Sequence, residues 1–526
     1  MRKPWYKRIQ KQAAVPLKKS AVQQKQHIPI PLTESLSENI DHIKKVLNNP
    51  GDLLIRNFVV GPNQHPCAIV CIDGLVEKAV INDQILRNLL HLSETIKQSD
   101  PALSSPDSLL SFIRSEALPV NELKAIQGLD ELLFEILAGE TALLVDGCAQ
   151  ALIGGTRGWK SRQVGEPTSE QVVRGPKESF TEDIRTNTAL IRRRIRDPNL
   201  RFDTYLIGRR SRKEVVCAYI EGIAHPALVE EVKRRLSSID IDDIEGSGPI
   251  EHWISDSAMS PFPQILSTER PDRVSSSLLQ GRIAVIVDGT PFQIVMPLTL
   301  AAAFQSPEDY YQNWLIATLI RLLRLTAAFF ATFLPALYIA LVEYHHGMIP
   351  SKLAFSIAGS REGVPFPAVV EALMMEATLE LLREAGIRLP KPIGQTIGIV
   401  GGLVIGEAAV QAGIVSPIMV IVVAITAISS FALPSYSFAV SLRIIRFGIM
   451  ISTAVFGLYG LVMVYIMINI HIVNLRSFGI PYSAPFSPGL GNDWKDLILR
   501  APITMMDERP RILQPVDKDR MPGSGG

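Results

Sequence analysis

The sequence predicts an α/β duplicated soluble N-terminal region followed by an all-α multi-pass transmembrane bundle. Three observations carry this expectation. Ile393–Leu433 is forty-one residues with one charge, Glu407. Because ~20 apolar residues cross ~30 Å of hydrocarbon, that run has the length of two crossings. Ser416-Pro417 breaks it near the middle, as a tight hairpin requires. The other long apolar segments also lie in the last third of the chain, and mean hydropathy is positive. Upstream, two buried-type strands ending in acid-Gly turns, each followed by an amphipathic pattern, occur twice.

Residues 1–45 read as a basic flexible tail. Met1 to Lys25 carries eight Lys/Arg and no acid, with no apolar core behind it, so it does not read as a secretory signal. It is a solvated arm or a contact with anionic lipid, where each basic residue contributes ~1 kcal/mol. The next two domains are expected at 46–160 and 161–300, joined by a Gly-, Ser- and Thr-rich linker, 154–181. Cys67 to Val76 and Val216 to Ala224 are the first strand pair; Gly139 to Gly147 and Gly281 to Gly289 are the second. Asp73 to Glu221 is a step of 148 positions and Gly139 to Gly281 a step of 142, in the same order. Strands alternating with helices fit mixed or parallel sheets.

The transmembrane helical domain is expected over 314–474. Leu325–Val342 contains Pro335, tolerable in a membrane helix where neighbours satisfy the freed carbonyl. Residues 364–385 have an apolar face interrupted by Glu371, Glu376, Glu380 and Glu384, as in a re-entrant or interfacial helix. The hairpin and one long span, Phe447–Val473, complete four spans, or five if 364–385 also crosses. Residues 475–526 form a proline-rich C-terminal tail. With four spans the basic residues violate the positive-inside rule: Lys352, Arg361, Arg383, Arg388, Lys391, Arg443 and Arg446 lie outside, against Arg321, Arg324 and Arg476 inside. Five spans reverse the count but bury four glutamates.

No GxSxG, Walker loop, HExxH or dinucleotide fingerprint is present, so no catalytic residue, metal site or cofactor is expected. Cys67 and Cys71 read as buried free thiols of a reducing compartment, since four cysteines make no disulfide framework. Asp73, Asp146, Glu221 and Asp288 at strand ends follow turn chemistry, with ligand binding as the sharper alternative. Arg192, Arg193, Arg194 and Arg196 read as a solvated helix end. A net charge of +1 implies no nucleic-acid partner. His345-His346 belongs to an interfacial loop.

Gly394, Gly398, Gly402 and Gly406 recur every fourth residue, a helix-packing face that lets backbones approach where hydrophobicity cannot drive association. Beside them run Gln395, Ile399, Leu403, Glu407 and Gln411, the pore-lining or gating candidates. No Lys or Arg within Ile393–Leu433 can pair with Glu407, so it faces protein or water.

Six segments together resemble one family. They are Arg174-Gly-Pro-Lys-Glu-Ser-Phe180, Val287-Asp-Gly-Thr-Pro-Phe292, Arg361-Glu-Gly-Val-Pro-Phe-Pro367, Pro390-Lys-Pro-Ile-Gly-Gln-Thr-Ile-Gly-Ile-Val-Gly-Gly402, Pro434-Ser-Tyr436 and Ser477-Phe-Gly-Ile-Pro-Tyr482. In this order they resemble the A subunit of bacterial spore germinant receptors, the GerA family, over about residues 50–490. The resemblance implies a receptor in the spore inner membrane; the absence of a signal and the free cysteines place the N-terminal region of this multi-pass chain on the cytoplasmic side. The resemblance also implies a transporter-like B subunit and a lipoprotein C subunit as partners, and a homo-oligomer of A subunits conducting ions in response to nutrient. A subunit of a membrane solute transporter is the alternative; the paired broken helices that would favour it are not visible. The germinant and its ligand-binding residues are not legible.

Overall fold

The computed structural model describes residues 30–61, 63–95, 105–119, 123–158, 165–389, 402, 404–489 and 491–521. The first sheet contains β1 (Leu53–Val60), β2 (His65–Ile72), β3 (Leu123–Ile126), β4 (Thr141–Val145) and β5 (Ala151–Gly154), in the order β1-β2-β4-β5-β3. The second contains β6 (Leu200–Ile207), β7 (Lys213–Ile220), β8 (Leu266–Thr268), β9 (Ile283–Val287) and β10 (Gln293–Met296), in the corresponding order β6-β7-β9-β10-β8.

Every pairing in both sheets is antiparallel, not parallel or mixed. The apolar runs resemble parallel strands because both faces are covered. Ala68, Val70 and Ile72 of β2 join one core, Cys67, Ile69 and Cys71 another. Alternation disappears when neither face meets water.

Each subdomain opens with a helix, α1 (Leu36–Leu47) in the first and α2 (Ile184–Arg194) in the second. Most of α1 therefore lies within the stretch expected as a flexible arm over 1–45, yet it is folded: Ile40, Ile43 and Leu47 are core residues. The same clasp precedes both helices. Thr33 N–H donates to Asn39 Oδ1 at 2.9 Å, and Thr181 N–H to Asn187 Oδ1 at 2.8 Å. The Asn side chains donate back to Thr33 O and Thr181 O, both at 2.6 Å. This pattern (Thr-Glu, with Asn six residues on from the Thr) recurs at the 148-residue step and extends the repeat backwards.

The expected linker is partly built into the second subdomain. Glu269 accepts from Ser169 Oγ at 2.8 Å and Glu170 N at 3.0 Å. The fully buried Arg270 donates to Pro176 O at 2.9 Å, and Phe180 is a core residue. Arg174–Phe180 is thus a strap against Glu269 and Arg270, the residues that lead into the helix α3 (Pro271–Leu279).

Arg192 is not on a solvated face. It is 1% exposed and grips Asp52 of the first subdomain through Nε at 2.8 Å and Nη2 at 3.1 Å, with its guanidinium 4.6 Å from the Phe202 ring. Arg193 and Arg194 pair with Glu178 instead.

The helical region begins with α4 (Trp314–Tyr344) and continues through α5 (Ala368–Arg388), a helix at 404–411, α6 (Pro417–Phe431) and α7 (Tyr436–Asn474). Two of these, α4 and α7, are long and apolar enough to cross a membrane. α4 leaves the subdomains at Arg321 and Arg324 and ends far from them at Tyr344. α5 returns: Val369 N–H, in its first turn, donates to Glu343 Oε1 at 3.1 Å, and Arg383 near its end reaches Ser430 Oγ at 3.2 Å. α6 runs the same way, from Ser416 beside Glu371 to Ser430.

The long last span is a hairpin. Gly457 has φ 59° and ψ −143°, a conformation open to glycine, and breaks α7 against Tyr344 and His345. Ser452 Oγ reaches Gly460 O at 3.2 Å across the bend, and Phe333 meets Tyr465 edge to face at 5.8 Å between centroids. Both ends of α7 dock on one residue: Phe262 lies 6.1 Å from the Phe438 ring and 5.9 Å from the His471 ring. A hydropathy reading merges the two arms because both are apolar and the turn is one glycine.

The tail then folds onto the second subdomain. Phe478 and Tyr482 are core residues, Leu300 N–H donates to Tyr482 O at 2.8 Å, and Val516 N–H to Ile223 O at 3.0 Å.

Removing one partner of a buried ion pair costs about 3–5 kcal/mol. Arg192→Ala should therefore lower the stability of the two-subdomain region by that order in urea unfolding. Unchanged unfolding would refute Arg192 as the clamp.

Candidate functional site

Among the described candidates of the polar stripe, Glu407 and Gln411 are both exposed, and Gln411 Nε2 donates to Glu407 Oε1 at 3.2 Å. Gln395, Ile399 and Leu403 lie outside the described residues, as do Gly394 and Gly398. A methyl group added at Gly402 would meet no atom within 4 Å, whereas at Gly406 it would lie 3.5 Å from Val420 of α6. Within one chain, then, Gly406 borders a neighbouring helix while Gly402 and the carboxamide–carboxylate pair face outward.

The interior of the bundle holds a set of charges that sequence reasoning counted only as topology signals. Glu376 and Arg446 are each 1% exposed and pair at 2.7 Å. Glu380 receives Arg443 at 3.0 Å, Arg383 at 2.7 Å and Arg446 at 3.4 Å. One turn nearer the distal end, the fully buried Glu371 pairs with Arg361 at 3.1 Å and accepts from Ser416 N at 2.8 Å. Glu371 and Glu376 are therefore buried contacts of α5 and Glu380 a part-buried one, whereas Glu384 is exposed and pairs with Arg388. An i, i+5, i+9 spacing of Glu371, Glu376 and Glu380 against Arg443 and Arg446 was visible in the sequence. It was missed because α5 was read alone.

Arg446 also answers the proline. Pro335 has no N–H to donate to the carbonyl four residues back, Ala331 O. Arg446 Nη1 donates to that oxygen at 3.2 Å, as the tolerance of Pro335 requires. One side chain thus joins α7, α5 and the weakened turn of α4.

A second charged junction sits where α4 meets the subdomains. Asp309, 2% exposed, receives Arg321 Nε at 3.0 Å and Arg324 Nη1 at 2.8 Å. Arg321 also reaches Asp496 Oδ1 at 2.9 Å, and Tyr310 OH donates to Asp496 Oδ2 at 2.7 Å. The tail is therefore pinned to the root of α4.

The strand-end acids hold structure. Asp146 Oδ1 accepts from Leu36 N at 2.9 Å and Asp288 Oδ1 from Ile184 N at 3.3 Å, so each caps the opening helix of its own subdomain. Asp73 pairs with Lys78 at 2.8 Å and Glu221 with Arg201 at 2.6 Å. Cys67 and Cys71 are buried free thiols, pushed up by burial to about 12 and about 11 and hence poor nucleophiles at neutral pH. Among the described residues no group of His, Cys, Asp and Glu could hold a metal ion. His345 Nε2 accepts from Leu458 N at 3.4 Å and receives the second arm of α7.

Arg446→Leu leaves Glu376 and the Ala331 carbonyl unpartnered, and should lower the melting temperature of the detergent-solubilised chain. Adding Glu376→Leu removes the orphaned charge and should recover part of the loss. Equal melting of wild type and Arg446→Leu would contradict the assignment.

A model of the family described as Bacillus/Clostridium GerA spore germination protein matches residues 41–512. Spore germination protein GerLA of Bacillus cereus is 45% identical over 491 residues, covering 93% of this chain and 98% of the relative. Spore germination protein B1 of Bacillus subtilis (strain 168) is 44% identical over 489 residues, covering 93% and 99%. Uncharacterized membrane protein YfkQ of the same organism is 41% identical, covering 91% of each chain. Among solved structures, the N-terminal domain of the A subunit of the Bacillus megaterium spore germinant receptor GerK3 is 35% identical with a TM-score of 0.39, covering 51% of this chain and 96% of that one. The chain belongs to the GerA family of spore germination proteins.

Proposed function

We propose that the chain is the A subunit of a nutrient germinant receptor, and that copies of it assemble in the spore inner membrane around a water-filled ion path. The observation that carries this is the outward Glu407–Gln411 pair on an otherwise apolar helix. The charges inside the bundle are matched with one another, while Glu407 has no cation beside it among the described residues. An exposed carboxylate facing lipid would cost at least about 2.5 kcal/mol. A face of partner copies and water removes that cost, and a ring of Glu407 carboxylates favours cations. Gln395, Ile399 and Leu403 continue the same path, and Gly394, Gly398 and Gly402 form the contact between copies. A transporter-like B subunit and a lipoprotein C subunit supply the nutrient signal.

The same reading includes a topology. The chain passes six times: α4 outward, α5 back, the segment ending at residue 411 outward, α6 back, and the arms of α7 outward and back. The arms, residues 436–456 and 458–474, span about 31 Å and 26 Å at ~1.5 Å per residue. Six passes place both soluble parts on the cytoplasmic side, in keeping with the tail packed on the second subdomain. Arg321, Arg324, Arg383, Arg388, Lys391, Arg443, Arg446 and Arg476 then belong to the cytoplasmic half, and Lys352 and Arg361 to the other. The positive-inside rule is satisfied without leaving any α5 glutamate unpaired.

In sealed vesicles of known orientation, a cysteine at Ser487 should react from the cytoplasmic side and one at Lys352 from the opposite side. Labelling of both from one side would overturn six passes. Purified protein in liposomes should conduct monovalent cations, and Glu407→Gln should reduce the flux several-fold. Equal flux in the variant would remove Glu407 from the path.

A further inference from the structure

A cavity of about 460 Å³ in the soluble part lies between α3 and the tail. Its volume falls within the ~300–1,000 Å³ of small-molecule sites. Arg282 and Ser275 line it, and both are more than nine-tenths buried. Arg282 Nη1 donates to Pro297 O, but its Nε finds no acceptor, and neither does the Ser275 hydroxyl. The carboxylates around the cavity are already engaged. Asp272 is held by Arg270, Asp496 by Arg321, Asp507 by Lys495 and Glu508 by Arg511. Asp493 accepts from the backbone N–H groups of Arg511 and Ile512 at 2.9 Å and 3.0 Å. Arg282 is therefore a buried cation with no counter-charge among the described residues.

A guanidinium does not escape burial by losing its proton, because its ordinary value is above ~12. Burial lowers it here only to about 10, with Arg273 adding to the effect, so it stays charged at neutral pH. An isolated buried charge is costly, and pairing with an anion is what relieves it. Arginine also matches the planar, two-oxygen face of carboxylate and phosphate.

We propose that this cavity is a binding site for a small anionic group, carboxylate or phosphate, received by Arg282 and Ser275. Its position explains what occupancy would do. One wall is α3 of the second subdomain and the other is the tail, whose Asp496 grips Arg321 at the root of α4. A bound anion would tie the two walls together and stiffen the junction through which the soluble part meets the bundle. The group could arrive on a free solute or on an anionic lipid headgroup, since the junction lies next to the bundle.

The test is thermal unfolding of the full chain in phosphatidylcholine nanodiscs at constant ionic strength, with chloride replaced by millimolar inorganic phosphate or acetate. Either anion should raise the melting temperature by at least about 2 °C, the scale expected of ligand linkage in a domain this size. The shift should vanish in Arg282→Gln and shrink in Ser275→Ala. Should Arg282→Gln fail to fold, Ala302→Leu, which fills the cavity from its wall, should abolish the shift instead. A shift seen only when phosphatidylglycerol replaces phosphatidylcholine, and lost in the same variants, would assign the site to a lipid headgroup. No shift with either anion or with phosphatidylglycerol, or an equal shift in Arg282→Gln, would overturn the proposal.

Discussion

Arg446 sits among apolar side chains, where an unpaired charge costs about 2.5–3.5 kcal/mol on insertion scales, so its partners are obligatory. It finds them on two other helices: Glu376 and Glu380 of α5, and the Ala331 carbonyl of α4. The consequence is geometric. α5 must lie against α7 with its acidic face inward, and α4 must bring its proline-weakened turn to the same level. Neither helix can slide by a turn without stranding a carboxylate or a carbonyl. Apolar contacts alone would leave that register soft, because leucine-like surfaces tolerate many offsets.

The other constraint is that α7 begins and ends on one residue of the soluble part. Phe262 packs between Phe438 and His471, and Ser260 Oγ lies 2.8 Å from His471 Nε2. The second sheet and the start of α7 share one continuous core, in which Val216, Ala218 and Ala284 meet Phe438, Ala439 and Leu442. No hinge separates the second subdomain from the bundle, so a displacement of one is a displacement of the other. The first subdomain is held differently, through the Arg192–Asp52 pair and the Arg201 contact to Val46 O at 3.0 Å. Ala189 of α2 also joins the apolar core of the first subdomain, so this boundary is packed as well as charged.

Legibility in the sequence followed the range of the interaction. Local signals held: Ser416-Pro417 starts a helix, and the two acid-Gly turns lie where the repeat put them. Strand direction did not follow from apolar runs, since helices cover both faces of either sheet. The start of the repeat was also hidden. Thr33, Glu34 and Asn39 carry the same clasp as Thr181, Glu182 and Asn187, but α1 follows a basic stretch that drew attention to charge instead. Arg192 shows the same limit: beside three other arginines it looks solvated, and only its distance from Asp52, 140 positions away in sequence, makes it a clamp.

Gly457 carries the largest consequence for the least signal. One residue with positive φ turns a 39-residue apolar stretch into two arms, and it can do so because Tyr344 and His345 cap the bend. An ordinary side chain there would meet both the backbone strain and the Tyr344 ring, 3.0 Å from an added Cβ. The bend brings the chain back to the second subdomain, where Ser477 and Tyr482 complete its core and Asp496 closes on Arg321. Without the return, Phe478 and Tyr482 would have no core to enter, and Arg321 and Asp309 would lose the carboxylate that balances their cluster. The tail's fold and the charge balance at the root of α4 therefore both rest on the conformation of one glycine.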